Sequence, residues 1–225
     1  MPTDLIYPAS DRPPALLTEI TEIIARLSFV KHIYVFGSLV GDDWDRWSDI
    51  DMIVVTQCQS QFWNVWETLN SAKPIVHHHP LTYGDISGAH MLGNVFVDEA
   101  VFHCLDLNFF TMAEWEKPET SDRFGAMREL YHDARVRKTN HDNQACVTQE
   151  LTLGEQQISI HIHFTKKAIK RILRGRENFT DLQKYTNQLK IIMQKYTFDY
   201  QVTGGNIGSV AKTYLSIADY LLKDQ

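Results

Sequence analysis

Nowhere do the 225 residues offer the ~18 consecutive apolar side chains that a membrane-spanning helix requires. The opening MPTDLIYPASDRPP also lacks the basic-then-apolar order of a secretory leader. Export and membrane spanning are therefore not expected, and a cytoplasmic protein is. Cysteine is scarce: Cys58, Cys104 and Cys146 are odd in number and far apart, which excludes a disulfide framework or a CxxC zinc site and leaves reduced thiols. Positive charge is also short. With 22 Lys and Arg against 28 Asp and Glu the net charge is −6, the wrong sign for a chain whose main partner is a nucleic-acid backbone. Internal repeats and low-complexity tracts are missing as well.

Apolar residues are plentiful, at 44% of the chain, enough for one large core or two smaller ones. The acids are unevenly placed. Residues 1–140 carry 20 Asp and Glu against 11 Lys and Arg, while residues 141–225 carry 8 against 11, so an acidic half faces a basic one and an anion with a metal ion would suit the space between. Leu16, Ile20, Ile23 and Leu27 repeat at helical spacing after Pro13 and Pro14. HIYVF (32–36), DIDMIVV (49–55), PIVHHHPL (74–81), NVFVDE (94–99) and VFHCLDLNFF (101–110) read as strands, and QFWNVWETLN (61–70) as a helix. The pattern changes at the polar stretch 138–149, beyond which 150–174 reads as a helix ended by Gly175. Two further helical stripes follow, 182–196 and 207–221, separated by TGGNIGS. The expectation is an α+β chain: a small mixed β-sheet with flanking helices over residues 1–140, then an all-α helical bundle over 141–225.

The chemistry is concentrated between residues 33 and 55. Strand alternation sends Asp49 and Asp51 to one side and Ile50 and Met52 to the other. Two like charges so close raise each other's pKa unless a cation lies between them, and Mg²⁺ takes hard oxygen ligands of this kind together with substrate phosphates. Gly37 and Ser38 follow directly on an apolar strand, where a tight turn would aim backbone N–H groups outward as a phosphate cradle. Asp106 sits in the apolar run CLDLNFF, where an unpaired carboxylate is costly; Asp98 and Glu99 compete with it as a third acidic ligand.

Gly37-Ser38, ten residues, then Asp49-Ile50-Asp51 resembles the G-S-x(10)-D-x-D signature of the DNA polymerase β-like nucleotidyltransferase superfamily, and SDIDMIVV is similar to that family's strand. The resemblance implies that Asp49, Asp51 and Asp106 are catalytic and hold two Mg²⁺ ions. It further implies that Gly37, Ser38, Ser48 and Lys167 contact ATP or another NTP. Transfer of AMP from MgATP to a hydroxyl of a small molecule, with release of pyrophosphate, is the activity it points to. A nucleotidyltransferase head followed by a helical bundle is similar to kanamycin and lincosamide nucleotidyltransferases, whose bundle closes over the acceptor and often pairs into a dimer. Alternatives are a toxin-antitoxin type of nucleotidyltransferase with a protein partner, or an inactive nucleotide-binding regulator.

Lys166, Lys170 and Arg174 share one helical face, with Lys167 and Arg171 beside it, and that face could receive a triphosphate. The general base is expected to be Glu150, Glu155 or Asp106. Trp44 and Trp47 could stack on a base or sugar ring. Histidines 77–79 alternate faces, so at most His77 and His79 could share an ion, and they read as packing residues; so do His161 and His163, two apart in a helix.

Overall fold

The structure is a computed structural model that describes residues 6–82, 89–134, 153–176, 179–196 and 207–223. Helix α1 (Arg12–Ala25) begins with prolines in its first turn and leads into strand β1 (Val30–Phe36). A 3-10 turn (Gly37–Val40) and a loop connect to β2 (Ile50–Thr56), followed by α2 (Ser60–Ala72), β3 (Ile75–Thr82), β4 (Ala89–Phe96) and β5 (Leu105–Thr111). Two short helices, α3 (Met112–Trp115) and α4 (Pro118–Ser121), precede β6 (Met127–His132). The rest is helical: α5 (Leu153–Leu173), α6 (Phe179–Lys195) and α7 (Ile207–Lys223). The chain is thus α+β, with a mixed sheet first and a helical region after it. The 138–149 stretch, Cys146, Glu150 and most of TGGNIGS lie outside the described residues.

The six strands run in the order β3-β4-β5-β2-β1-β6. Only β2 and β5 are parallel; the other neighbours are antiparallel. Alternation along the central strands sorts their side chains. Ile33, Val35, Ile50, Met52, Val54, Leu105, Leu107 and Phe109 meet Leu16, Ile20 and Ile24 of α1 and Phe62, Val65 and Leu69 of α2 in the main core. Ile53, Val55 and Phe110 point the other way, under Tyr34, Phe36, Trp115 and Phe124.

Two expectations shift. NVFVDE begins a strand five residues earlier and ends it at Phe96, because Glu99 is drawn into an ion pair with Lys73 at 2.8 Å and another with Arg12. Residues 101–104 form a turn rather than strand. Strand β6 was not anticipated: it is an edge strand, half exposed, with charged residues that blur any alternation.

A separate core joins the helical region to the sheet. Val95, Phe102 and Cys104 are buried among Ile158, Ile169, Leu182, Leu189, Val210 and Ile217. Tyr214 of α7 packs edge-on to Phe102, with ring centroids 5.9 Å apart, and its hydroxyl donates to the Val101 carbonyl. Phe102→Ala should therefore cost about 3–5 kcal/mol, read as a lower urea midpoint, and should loosen α7 first, which hydrogen exchange along that helix would report.

Candidate active site

Asp51 stands at the centre of the sheet, opposite Phe36 on β1 and opposite Asp106 on β5. Neighbouring strands run about 4.8 Å apart, so the parallel pairing of β2 and β5 sets these two carboxylates side by side. Asp49 lies on the same side, just before β2 begins. The chain reaches this point through the turn at Gly37, whose φ of +71° favours glycine. A Cβ there would also be driven into the Asp51 carboxylate. Gly37 thus lets the bend lie directly against the acid, with Ser38 beside it.

The loop from 42 to 49 is tied down by its own polar groups. The buried Ser48 hydroxyl accepts from Asp45 N–H at 2.9 Å and donates to Asp45 Oδ1 at 3.2 Å, while Trp47 N–H donates to the same oxygen at 3.0 Å. Buried His103, its pKa lowered by desolvation, donates from Nε2 to the Arg46 carbonyl at 2.9 Å. Trp47 Nε1–H donates to the Ile6 carbonyl at 2.8 Å. Ser48, expected at the nucleotide, spends its hydroxyl on this loop. Trp44 packs on the main core.

The basic partners come from α5. Lys166 and Lys170, one turn apart, place their Nζ atoms 3.2 and 3.3 Å from Asp49 Oδ2. A further turn on, Arg174 forms a double hydrogen bond with Asp45 at 2.5 and 2.8 Å. Lys166 Nζ also lies 2.9 Å from Cys104 Sγ. Both lysines are about 5% exposed, and Lys170 Nζ meets no acceptor at hydrogen-bond geometry. Lys167 is exposed, off the face that meets Asp49. Glu155 sits eleven residues before Lys166, about 16 Å along the helix.

Charge is unequally settled among the acids. Burial works to raise the pKa of Asp49, but Lys166 and Lys170 outweigh it and hold the group well below the carboxylate range. Asp51 has the opposite fate: burial first, then the charges of Asp49 and Asp106, push it up to about 7. Asp106 accepts from Gly93 N–H at 2.6 Å. Of the competitors for its place, Glu99 is bound to Arg12 and Lys73, and Asp98 is exposed. His163, which sequence spacing gave no reason to single out, lies three residues before Lys166 on α5. Burial, then Lys166 and Lys167, lower it to about 4, while Asp106 and Asp49 oppose the shift. An open cleft of about 450 Å³ adjoins the turn, lined by Ser38, Asp43, Asp45, Trp47, Arg174 and Arg176.

Between its unfolded pKa near 4 and its folded value near 7, Asp51 binds a proton only when the chain is folded. Its favourable contribution is complete below that window and is lost as pH rises through it. Asp51→Asn should accordingly stabilise the chain at pH 8 by roughly 1–3 kcal/mol and by little at pH 4. Thermal melts of both forms in chelator, taken across pH, check this.

Residues 17–85 match the family model described as "Nucleotidyltransferase domain". No curated protein matches the chain. Among solved structures, a cytoplasmic RNA terminal U-transferase is 18% identical with a TM-score of 0.34, over 44% of this chain and 30% of its own. The Cid1 poly(U) polymerase bound to MgATP is 19% identical with a TM-score of 0.35, over 44% and 33%. The match therefore spans about a third of those proteins, and at such scores carries no further weight. The family match encloses Gly37, Ser38, Asp49 and Asp51, so residues 17–85 are similar to a nucleotidyltransferase domain.

Proposed function

We propose that the chain transfers a nucleoside monophosphate, AMP from MgATP, to a hydroxyl of a small molecule and releases pyrophosphate. The observation that carries this reading is the in-register pairing of Asp51 with Asp106, with Asp49 two residues away and the Gly37 bend pressed against Asp51.

The donor set suits magnesium: three hard carboxylates, one of them with its pKa raised by burial and then by its two acidic neighbours, which outweigh Lys166 and Lys170. Among the described residues, the only three ligand-type side chains whose donor atoms all lie within 4.8 Å of one another are His32, Glu129 and His132. Two ions about 4 Å apart would be shared among the three carboxylates. Asp51 and Asp106 would hold the metal, joined by Asp49 once Lys166 and Lys170 share it. When bound, the ions supply Lewis acidity at the α-phosphate and make the acceptor hydroxyl easier to deprotonate.

The acceptor oxygen attacks the α-phosphorus, the bond to the bridging oxygen of pyrophosphate breaks, and the acceptor proton passes to a carboxylate. Asp106 can serve as that base; Glu155 sits turns away from Lys166 along α5, and Glu150, the third candidate, lies outside the described residues. Backbone N–H groups and the Ser38 hydroxyl at the bend bind the β- and γ-phosphates, with Arg174 and Arg176 across the cleft adding positive charge. Residues 1–140 and 141–225 then act as two domains that supply opposite walls. The acidic first half supports a small acceptor rather than a nucleic acid. Exposed Ile160 and Phe164 on α5 and Ile191 on α6 support a homodimer.

Mass spectrometry of a panel of hydroxyl compounds, aminoglycosides and lincosamides included, incubated with enzyme, ATP and Mg²⁺ should find one acceptor heavier by AMP. Asp51→Asn and Asp106→Asn should each lower the rate at least about a hundredfold. Absence of ATP binding, together with absence of pyrophosphate release for every acceptor, would sink the reading.

A further inference from the structure

The acidic site occupies one end of a sheet face whose other end carries a different set of ligand atoms. His32 lies four residues before Phe36 on β1, about 13 Å away along the strand. It sits directly opposite His132 on β6. Glu129 Oε1 is 2.8 Å from His32 Nδ1 and 3.4 Å from His132 Nδ1, and the two rings meet edge-on with centroids 4.6 Å apart. We propose that His32, Glu129 and His132 form a binding site for a divalent transition-metal ion of the zinc type, separate from the aspartates.

The spacing fits the chemistry. A tetrahedral zinc ion with bonds of about 2.0–2.1 Å sets its ligand atoms about 3.3 Å apart, and the two separations to Glu129 straddle that value. Two imidazoles and one carboxylate favour zinc, cobalt, nickel or copper over magnesium. The Tyr34 ring stacks on His32 and holds its plane, while the Tyr34 hydroxyl, 3.2 Å from the same Nδ1, gives up that contact when an ion binds there. Glu129 and His132 are 44% and 50% exposed, so the remaining coordination position opens to solvent.

A defect in the sheet builds the set. Regular antiparallel pairing from His32 and His132 would bring Leu130 opposite Tyr34. The register instead slips between Ile33 and Tyr34, so that Glu129 faces Tyr34. Leu130 and Tyr131 both turn to the main core, and Glu129 joins His132 on the other side. A bulge in an edge strand thus delivers a carboxylate and an imidazole three residues apart to one point, which strict alternation forbids. An ion there would clamp β6 to β1.

Calorimetric titration of the chelator-treated full chain with Zn²⁺ tests the proposal, with His132→Ala, Glu129→Gln and Asp51→Asn alongside. Circular dichroism in chelator establishes that each variant is folded. One saturable site is expected in the parent chain and in Asp51→Asn, weakened more than about tenfold in His132→Ala and Glu129→Gln. Co²⁺ should give strong visible absorption that His132→Ala loses. The proposal falls if the parent shows no saturable site, if the His132 and Glu129 variants bind like the parent, or if Asp51→Asn alone removes binding.

Discussion

Asp51 is pressed between Asp49 and Asp106 with the Gly37 bend at its back, and burial leaves little water to spread its charge. Three carboxylates so placed raise the energy of the folded chain unless positive charge is brought to them. Between Ile33 and Val55 the sequence offers one base, Arg46, and the ion pairs of Asp49 come from elsewhere. The charge comes from Lys166 and Lys170, more than a hundred residues on, and it settles on Asp49 alone. Asp51 keeps a pKa near neutrality because burial and then its two acidic neighbours outweigh the lysines.

This division of charge links the two halves of the chain. Helix α5 repeats a base every fourth residue at 166, 170 and 174, and one helical face delivers them in turn to Asp49, Asp49 and Asp45. The apolar contacts of Phe102, Cys104 and Tyr214 fix where that face lies. Burying two ammonium groups is costly by itself, and the cost is met only if Asp49 stays ionised beside them. The unequal division of acids and bases between residues 1–140 and 141–225 is the same arrangement seen as composition.

The parts legible in the sequence are those set by short-range repetition. Alternation around Asp49 and Asp51, the apolar run holding Asp106, and helical stripes in the last third all translate directly into the structure. What was not legible depends on pairing between distant segments. The register of β2 against β5 makes Asp51 and Asp106 neighbours, and no local pattern states that register. Ser48 illustrates the same limit: beside the aspartates it reads as a phosphate contact, yet Asp45 captures its hydroxyl. Lys166 rather than Lys167 meets Asp49, a difference of one helical position decided by how α5 packs. Strand β6 escaped notice because a bulged, half-exposed edge strand has no simple period.

That bulge shows how one sheet can hold two kinds of chemistry. At the end nearest Gly37, strands β1, β2 and β5 keep regular register, and same-face positions bring carboxylates together, which favours a hard, oxygen-seeking ion. At the far end the slip between β1 and β6 mixes imidazole with carboxylate, and softer donors favour a softer ion. Tyr34, Phe36, Trp115 and Phe124 fill the interval with packed rings: Tyr34 lies 5.1 Å from Trp115 and Phe36 lies 5.0 Å from Phe124, centroid to centroid. Regular pairing therefore crowds acids at one end of the sheet face, and a local break in pairing assembles a different donor set at the other.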